Sequence, residues 1–184
     1  MDTTGKDWRS DAPLLRTERL LLRALALSDT PRVKQLAGHP DIAAVTTNIP
    51  HPYPVALAER WIASHEPNRR AGRSLELGIE HRSMLVGSVS LMNMAEGRAN
   101  VGYWLGVDFW GRGLMTEAVT ALAEYAFETI GLQELRAIHM WRNPASGRVL
   151  QKAGFRRIGA EQRTLNGRIE DVVLYRRRRG KMRL

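Results

Sequence analysis

At 184 residues the chain has the length of one ordinary domain, and its 43% hydrophobic and 26% charged content suits a folded globular protein, not a disordered one. It contains no cysteine, which excludes a disulfide framework, thiolate metal sites and any mechanism that holds an acyl group on a Cys; the five histidines lack zinc-binding spacing, so no metal is expected. A net charge of +9 suits an anionic partner, such as a phosphate, ribosomal RNA or an acidic protein, and with no apolar block of spanning or signal length the expected location is cytoplasmic, away from membranes.

Residues 1–13 are polar and end in proline, and read as a flexible leader. Residues 20–25 read as a strand. Ser28 or Asp29 can then cap a helix with Pro31 in its first turn, running to about residue 37. Gly38, Pro40, Pro50, Pro52 and Pro54 break the chain around a short apolar stretch at 42–45. A helix over 55–64 follows, with Leu57, Trp61 and Ile62 turned inward. Leu75, Leu77 and Ile79 alternate, and a turn at 81–83 joins them to a strand over 85–92, so the two form a hairpin. Residues 101–107 make the next strand.

After a glycine-rich turn, Ala118, Val119, Leu122, Ala126 and Ile130 define one face of a long helix that Gly131 stops. Residues 135–142 form a strand that ends before Pro144, and a short helix carries Val149 and Leu150. Asn166-Gly167 is a two-residue turn signal for a last hairpin reaching 172–175. The order is mixed α/β in one domain over 14–176. A basic tail at 177–184 is expected beyond it, where Arg177, Arg178, Arg179, Lys181 and Arg183 follow Arg176.

The segment Trp110-Gly111-Arg112-Gly113-Leu114-Met115-Thr116 stands between a strand and a helix. Its glycines allow a tight turn, and successive N–H groups converge at the positive end of the helix dipole, which makes an anion socket. The dipole alone supplies about 0.3–1 kcal/mol, whereas each charge-assisted hydrogen bond gives about 1.5–3 kcal/mol, so several amides aimed at one phosphate must dominate. A dinucleotide fingerprint would need a third glycine at Thr116, and a Walker A loop would need Gly-Lys followed by Ser or Thr; neither is present.

Four separated segments resemble the GNAT superfamily, in the branch that contains the ribosomal-protein N-terminal alanine and serine acetyltransferases. They are Thr17-Glu18-Arg19-Leu20, Gly102-Tyr103-Trp104-Leu105, the Trp-Gly-Arg-Gly turn with Thr116-Glu117-Ala118, and Asn143-Pro144-Ala145-Ser146 with Lys152-Ala153-Gly154-Phe155. The resemblance implies one α/β (α+β) domain, whose mixed, mostly antiparallel central sheet has a splayed strand pair and flanking helices. It also implies acetyl-CoA as cosubstrate and transfer to an amine acceptor, either a protein N-terminus such as that of a ribosomal protein or a small amine. A homodimer is an allowed assembly.

Carried over position by position, the resemblance gives Leu105 and Val107 the pantetheine arm, residues 110–116 the pyrophosphate and Asn143 a further contact to the coenzyme arm. Ser146 stands where relatives stabilise the departing thiolate, and Lys152 where a CoA phosphate can be met. His51, Tyr53 and Trp104 are the candidates to line the acceptor pocket.

Without a cysteine carrier, the simplest chemistry is direct attack of a neutral amine on the thioester with both substrates bound. The family often places Glu two residues before Gly102, and ribosomal-protein acetylating relatives can carry one near the last turn; here those places hold Asn100 and Arg163. His139 is the first candidate for the base, with an unperturbed pKa of about 6.5, although a hydrogen-bonded core histidine is an equal reading. Glu76, between Leu75 and Leu77 and so on the opposite face of its strand, is the second. The two missing carboxylates also leave open a CoA-binding regulatory or ribosome-associated module without catalysis.

Overall fold

The computed structural model describes residues 7–165 and 167–180. The chain opens with β1 (Leu15–Arg16) and β2 (Leu20–Arg23), then α1 (Thr30–Ala37), α2 (Pro40–Val45) and α3 (Val55–Arg70). Strands β3 (Leu75–His81), β4 (Met84–Ala95) and β5 (Arg98–Leu105) lead to α4 (Leu114–Glu128) and β6 (Glu134–Met140). Helix α5 (Pro144–Lys152) and the hairpin β7 (Arg156–Leu165) and β8 (Arg168–Arg178) complete the chain.

Among the described residues the strands form one eight-stranded sheet in the order β1-β2-β3-β4-β5-β6-β8-β7. Every neighbouring pair is antiparallel except β5 with β6, which are parallel and joined only over Arg98↔Glu134, Ala99↔Leu135 and Asn100↔Arg136. Past Asn100 the two strands part. The mixed sheet and its splayed pair are as expected from the resemblance.

Alternation along the strands sorts the core into two layers. Leu75, Leu77 and Ile79 of β3, with Ala99, Val101 and Leu105 of β5, bury against Ala118, Val119 and Leu122 of α4. The opposite face carries Trp104 and Leu85 into a smaller cluster with Val33, Ile42, Tyr53 and Ile62 from the first three helices. Burying one such Leu or Ile contributes about 1.5–3 kcal/mol, so the α4 layer, the larger, anchors the sheet. Among the described residues no helix is long and apolar enough to cross a membrane.

Several sequence boundaries move. Helix α3 continues six residues past 64, through Pro67, to Arg70. The strand placed at 101–107 runs instead over Arg98–Leu105, and Val107 begins a 3-10 turn, Val107–Phe109. The leader does not extend to residue 13: Trp8 is buried in the main core, and the Arg69 guanidinium donates to the Trp8 carbonyl at 2.9 Å.

The basic tail does not start at 177, because Arg177 and Arg178 are paired in β8 opposite Leu135 and Glu134. A strand's alternation sends their side chains to opposite faces. Arg177 donates to the Ala153 carbonyl at 3.0 Å and lies over Phe127, and Arg178 turns to Glu134. Of the Asn166-Gly167 turn, Asn166 lies outside the described residues; Gly167 has φ of 74°.

Candidate active site

The anion socket takes shape from two left-handed glycines. Gly111 and Gly113 have φ of 74° and 75°, and Gly113 is the N-cap of α4. A side chain at either position would be strained, whatever space surrounds it. The first amides of a helix have no carbonyl one turn back to receive them; here the ladder begins with Glu117 N–H donating to Gly113 O at 3.1 Å. Leu114, Met115 and Thr116 therefore begin α4 with their N–H groups directed out of its N-terminus.

Two side chains brace this turn from outside. The Trp110 indole N–H donates to the Leu105 carbonyl at 2.6 Å, which closes the strand end over the 3-10 turn. Of the Leu105 backbone groups expected to face the pantetheine arm, the carbonyl is thus engaged by Trp110. The Arg112 guanidinium lies 5.8 Å from the Phe109 ring centroid.

The loop is also tied to the start of the chain, a link that sequence reasoning missed. Arg19 donates from Nη1 to the Arg112 carbonyl at 3.0 Å and from Nε to Glu117 Oε2 at 2.7 Å. Glu117 Oε1 accepts from the Thr17 hydroxyl at 2.6 Å and from the Arg19 N–H at 2.9 Å. Partial burial alone would push the Glu117 carboxyl up, but these donors outweigh it and hold the group below its ordinary pKa. The only advance signal was a Thr-Glu-Arg run and a Thr-Glu-Ala run in the same resemblance.

At the far side of the strand gap, Asn143 caps α5: its Oδ1 accepts from Ser146 N–H at 3.2 Å, while its Nδ2 donates to the Val45 carbonyl at 3.4 Å. Next to it, Arg142 reaches the Ala44 carbonyl through Nε at 3.2 Å and Nη2 at 3.0 Å, and pairs with Glu170. The β6–α5 corner is therefore fastened to the end of α2.

Ser146, in the first turn of α5, meets a partner the sequence did not single out. The Tyr103 hydroxyl, carried across from β5, lies 2.8 Å from Ser146 Oγ and donates to the Ser146 carbonyl at 3.2 Å. Burial pushes the Tyr103 phenol well above its ordinary pKa, so it stays protonated. Its place in the β5 alternation, with Val101 and Leu105, was legible; the contact to a residue forty-three positions later was not.

The two candidate bases lie on opposite faces of the sheet. His139 is buried beneath α5: its Nδ1 shares a hydrogen bond with the Met140 carbonyl at 2.8 Å, and a Cβ at Gly147 would stand 2.6 Å from its Nε2. Its ring is tilted against Tyr175 at 5.5 Å. Glu76 is on the α3 face. Its Oε2 is buried without a hydrogen-bond partner, and burial raises its pKa. Ser90 pairs with Glu76 on one side and with Gly102 on the other, so the three form a row across β3, β4 and β5. A Cβ at Gly102 would stand 3.2 Å from Ser90 Oγ, so glycine keeps that row clear.

The acceptor candidates divide. Trp104 and Tyr53 are buried in the same helix-covered cluster, where Trp104 packs 6.4 Å from Trp61. His51 is exposed, with Nδ1 2.9 Å from the Gly38 carbonyl, in a depression of about 380 Å³ that also involves Lys34, His39 and Tyr53. Lys152 ends α5 on its exposed side. Among the described residues no three His, Asp or Glu side chains gather as a metal site.

A parallel strand pair that parts beside a glycine-framed helix N-terminus defines a class of coenzyme-binding acyltransferase folds, and comparison with known proteins agrees. The family model described as acetyltransferase (GNAT) domain matches residues 19–156, and the chain belongs to this family. It is an acetyl-CoA-dependent N-acetyltransferase.

The chain is 25% identical over 169 residues to the uncharacterized N-acetyltransferase YoaA of Bacillus subtilis, covering 89% of this chain and 95% of that protein. It is 30% identical over 95 residues to the ribosomal protein uS5 alanine N-acetyltransferase of Escherichia coli, 49% of each chain. Among solved structures it is similar to RimL, a ribosomal L7/L12 α-N-protein acetyltransferase in complex with coenzyme A. That likeness has a TM-score of 0.83 at 21% identity and covers 90% of this chain and 98% of that one.

Proposed function

We propose that this enzyme acetylates the α-amino group of a polypeptide N-terminus, by direct attack on acetyl-CoA in a ternary complex. The observation that carries this reading is the parted β5–β6 pair, with the glycine turn at one side and the Ser146–Tyr103 pair at the other. The relatives named for ribosomal-protein acetylation support the acceptor class.

The chain's residues divide the work. Amides at the start of α4 and the turn before it, 111–116, bind the pyrophosphate. Glu76 removes the amine proton through water, because its unpartnered oxygen is two strands, or about 10 Å, from β5. Its raised pKa makes it a better base than an ordinary carboxylate. Ser146 donates to the sulfur as the carbon–sulfur bond breaks, and the Tyr103 hydroxyl, 2.8 Å from Ser146 Oγ, holds the serine side chain in position for that task. His139 keeps α5 seated on β6.

The reading is tested by incubating the protein with acetyl-CoA and lysine-free peptides beginning in Ala or Ser. Transfer is expected at the terminal nitrogen by mass spectrometry, with intersecting initial-rate patterns. Transfer only to small amines, or parallel patterns, would overturn it.

A further inference from the structure

The sheet carries a concentrated positive field on its open side. Register places Asn100, Arg136, Arg176 and Arg156 in one row across β5, β6, β8 and β7, and Arg98, Glu134 and Arg178 in the row beside it. Residues paired opposite one another share a face. That face is the one bearing Gly102 and Trp104, on the side of α1 and α3, but beyond β5 those helices no longer cover it. The side chains of Arg136, Arg178 and Arg98 are 52%, 66% and 54% exposed.

Five guanidiniums thus stand in two rows with one carboxylate between them. Glu134 accepts from Arg136 at 2.7 Å and from Arg178 at 3.1 Å, and lies 3.9 Å from Arg176. Arg98 is 3.8 Å from Glu96, in the turn before β5, and among the described residues Arg156 has no carboxylate at ion-pair distance. Farther up the hairpin the charge is balanced, because Arg163 pairs with Glu161 and Arg142 with Glu170. The two rows carry four more arginines than carboxylates.

Position gives the surplus a meaning. Asn100↔Arg136 is the last paired rung before β5 and β6 part, so the arginine row starts at the crotch of the gap. We infer that this face binds an acidic segment of the acceptor polypeptide, immediately downstream of the amine being acetylated. The inference rests on the acceptor reading above and specifies its chemistry.

Arg136 to Arg156 spans two strand spacings, about 10 Å, which an extended chain covers in roughly three residues. Arginine forks recognise carboxylates by paired hydrogen bonds. A single-stranded RNA would want aromatic platforms as well, and the two rows contain none.

The test uses the full chain and two lysine-free peptides with the same N-terminal Ala or Ser, one carrying Asp at its third to sixth residues and the other Asn. The acidic peptide is expected to have the higher kcat/KM by at least about fivefold at low salt, the scale of a few exposed ion pairs, and to lose that advantage at high salt. In an Arg136→Gln, Arg156→Gln, Arg176→Gln variant the preference should fall to near unity while kcat/KM for the Asn peptide stays at its native value. Glu134 keeps Arg178 in that variant, so its buried carboxylate is not abandoned. The single Arg156→Gln change, on an exposed edge strand, should reduce the preference in part.

Equal rates for the two peptides with the native protein would overturn the inference and leave N-terminal acetylation standing. A preference that survives the triple change would do the same. Loss of oligouridylate binding in the variant with no change in peptide preference would make the face an RNA surface instead. Transfer to no peptide at all would sink the acceptor reading and this inference together.

Discussion

Arg19 and Glu117, ninety-eight positions apart, hold each other at 2.7 Å across the mouth of the glycine turn. Arg19 at the same time grips the Arg112 carbonyl, so the start of the chain fixes the conformation of the glycine turn proposed to hold the coenzyme. Two short runs of the sequence are thus halves of one brace.

Glu117→Gln should weaken acetyl-CoA binding by about five- to tenfold, the loss of charge-assisted bonds around a partly exposed group. The pH dependence follows from its lowered pKa: the contribution is present above the ordinary carboxylate value, about 4.3, and is lost as pH falls through the lowered one. Calorimetric titration between neutral and mildly acid pH should show native affinity holding to about pH 5, with no acid-dependent loss attributable to this brace in the variant.

Gly113→Ala places a side chain where φ is 75°, which costs about 1–2 kcal/mol and turns the first amides of α4 away from a common point. Affinity for acetyl-CoA should fall roughly five- to thirtyfold. Desulfo-CoA, which retains the pyrophosphate, should lose the same factor by calorimetry. A loss restricted to acetyl-CoA would place the grip elsewhere.

Glu76→Gln separates catalysis from stability. Turnover of a confirmed peptide should fall by about 10²–10⁴, the usual range for a general base. The raised pKa has the opposite effect on folding: stability from this carboxyl is full below its unfolded value and is lost as pH rises through the folded one. The variant should therefore melt higher than the native protein at neutral pH, read by thermal unfolding. His139→Ala should show the reverse, a lower melting temperature from a cavity under α5, with the shape of the kcat pH profile retained.

Tyr103→Phe should lower kcat by about tenfold or more while leaving the KM for acetyl-CoA near its native value, since the hydroxyl acts through Ser146. Adding Tyr103→Phe to Ser146→Ala should cost nothing further, the mark of two groups in one device. Additive losses would mean that Tyr103 acts independently.

The glycine turn was legible because it is local: two glycines, a strand before and an amphipathic helix after. The β3–β4 hairpin was legible for the same reason, with Leu75, Leu77 and Ile79 in strict alternation. What stayed hidden depends on contacts that close only in three dimensions. Arg177 and Arg178 read as the start of a solvated tail until β6 pairs with them as part of a strand, and Trp8 reads as leader until its carbonyl accepts from Arg69. Nothing in one strand announces that the indole five residues after Leu105 will donate to its carbonyl.

Arg142 touches three separate parts of the molecule: its own β6–α5 corner, the carbonyl end of α2 and Glu170 of β8. One side chain thereby makes the rim of the strand gap and the roof of the opposite side a single mechanical part. Widening the entrance for a bulky chain end therefore requires either that these contacts break or that the corner, α2 and β8 shift together.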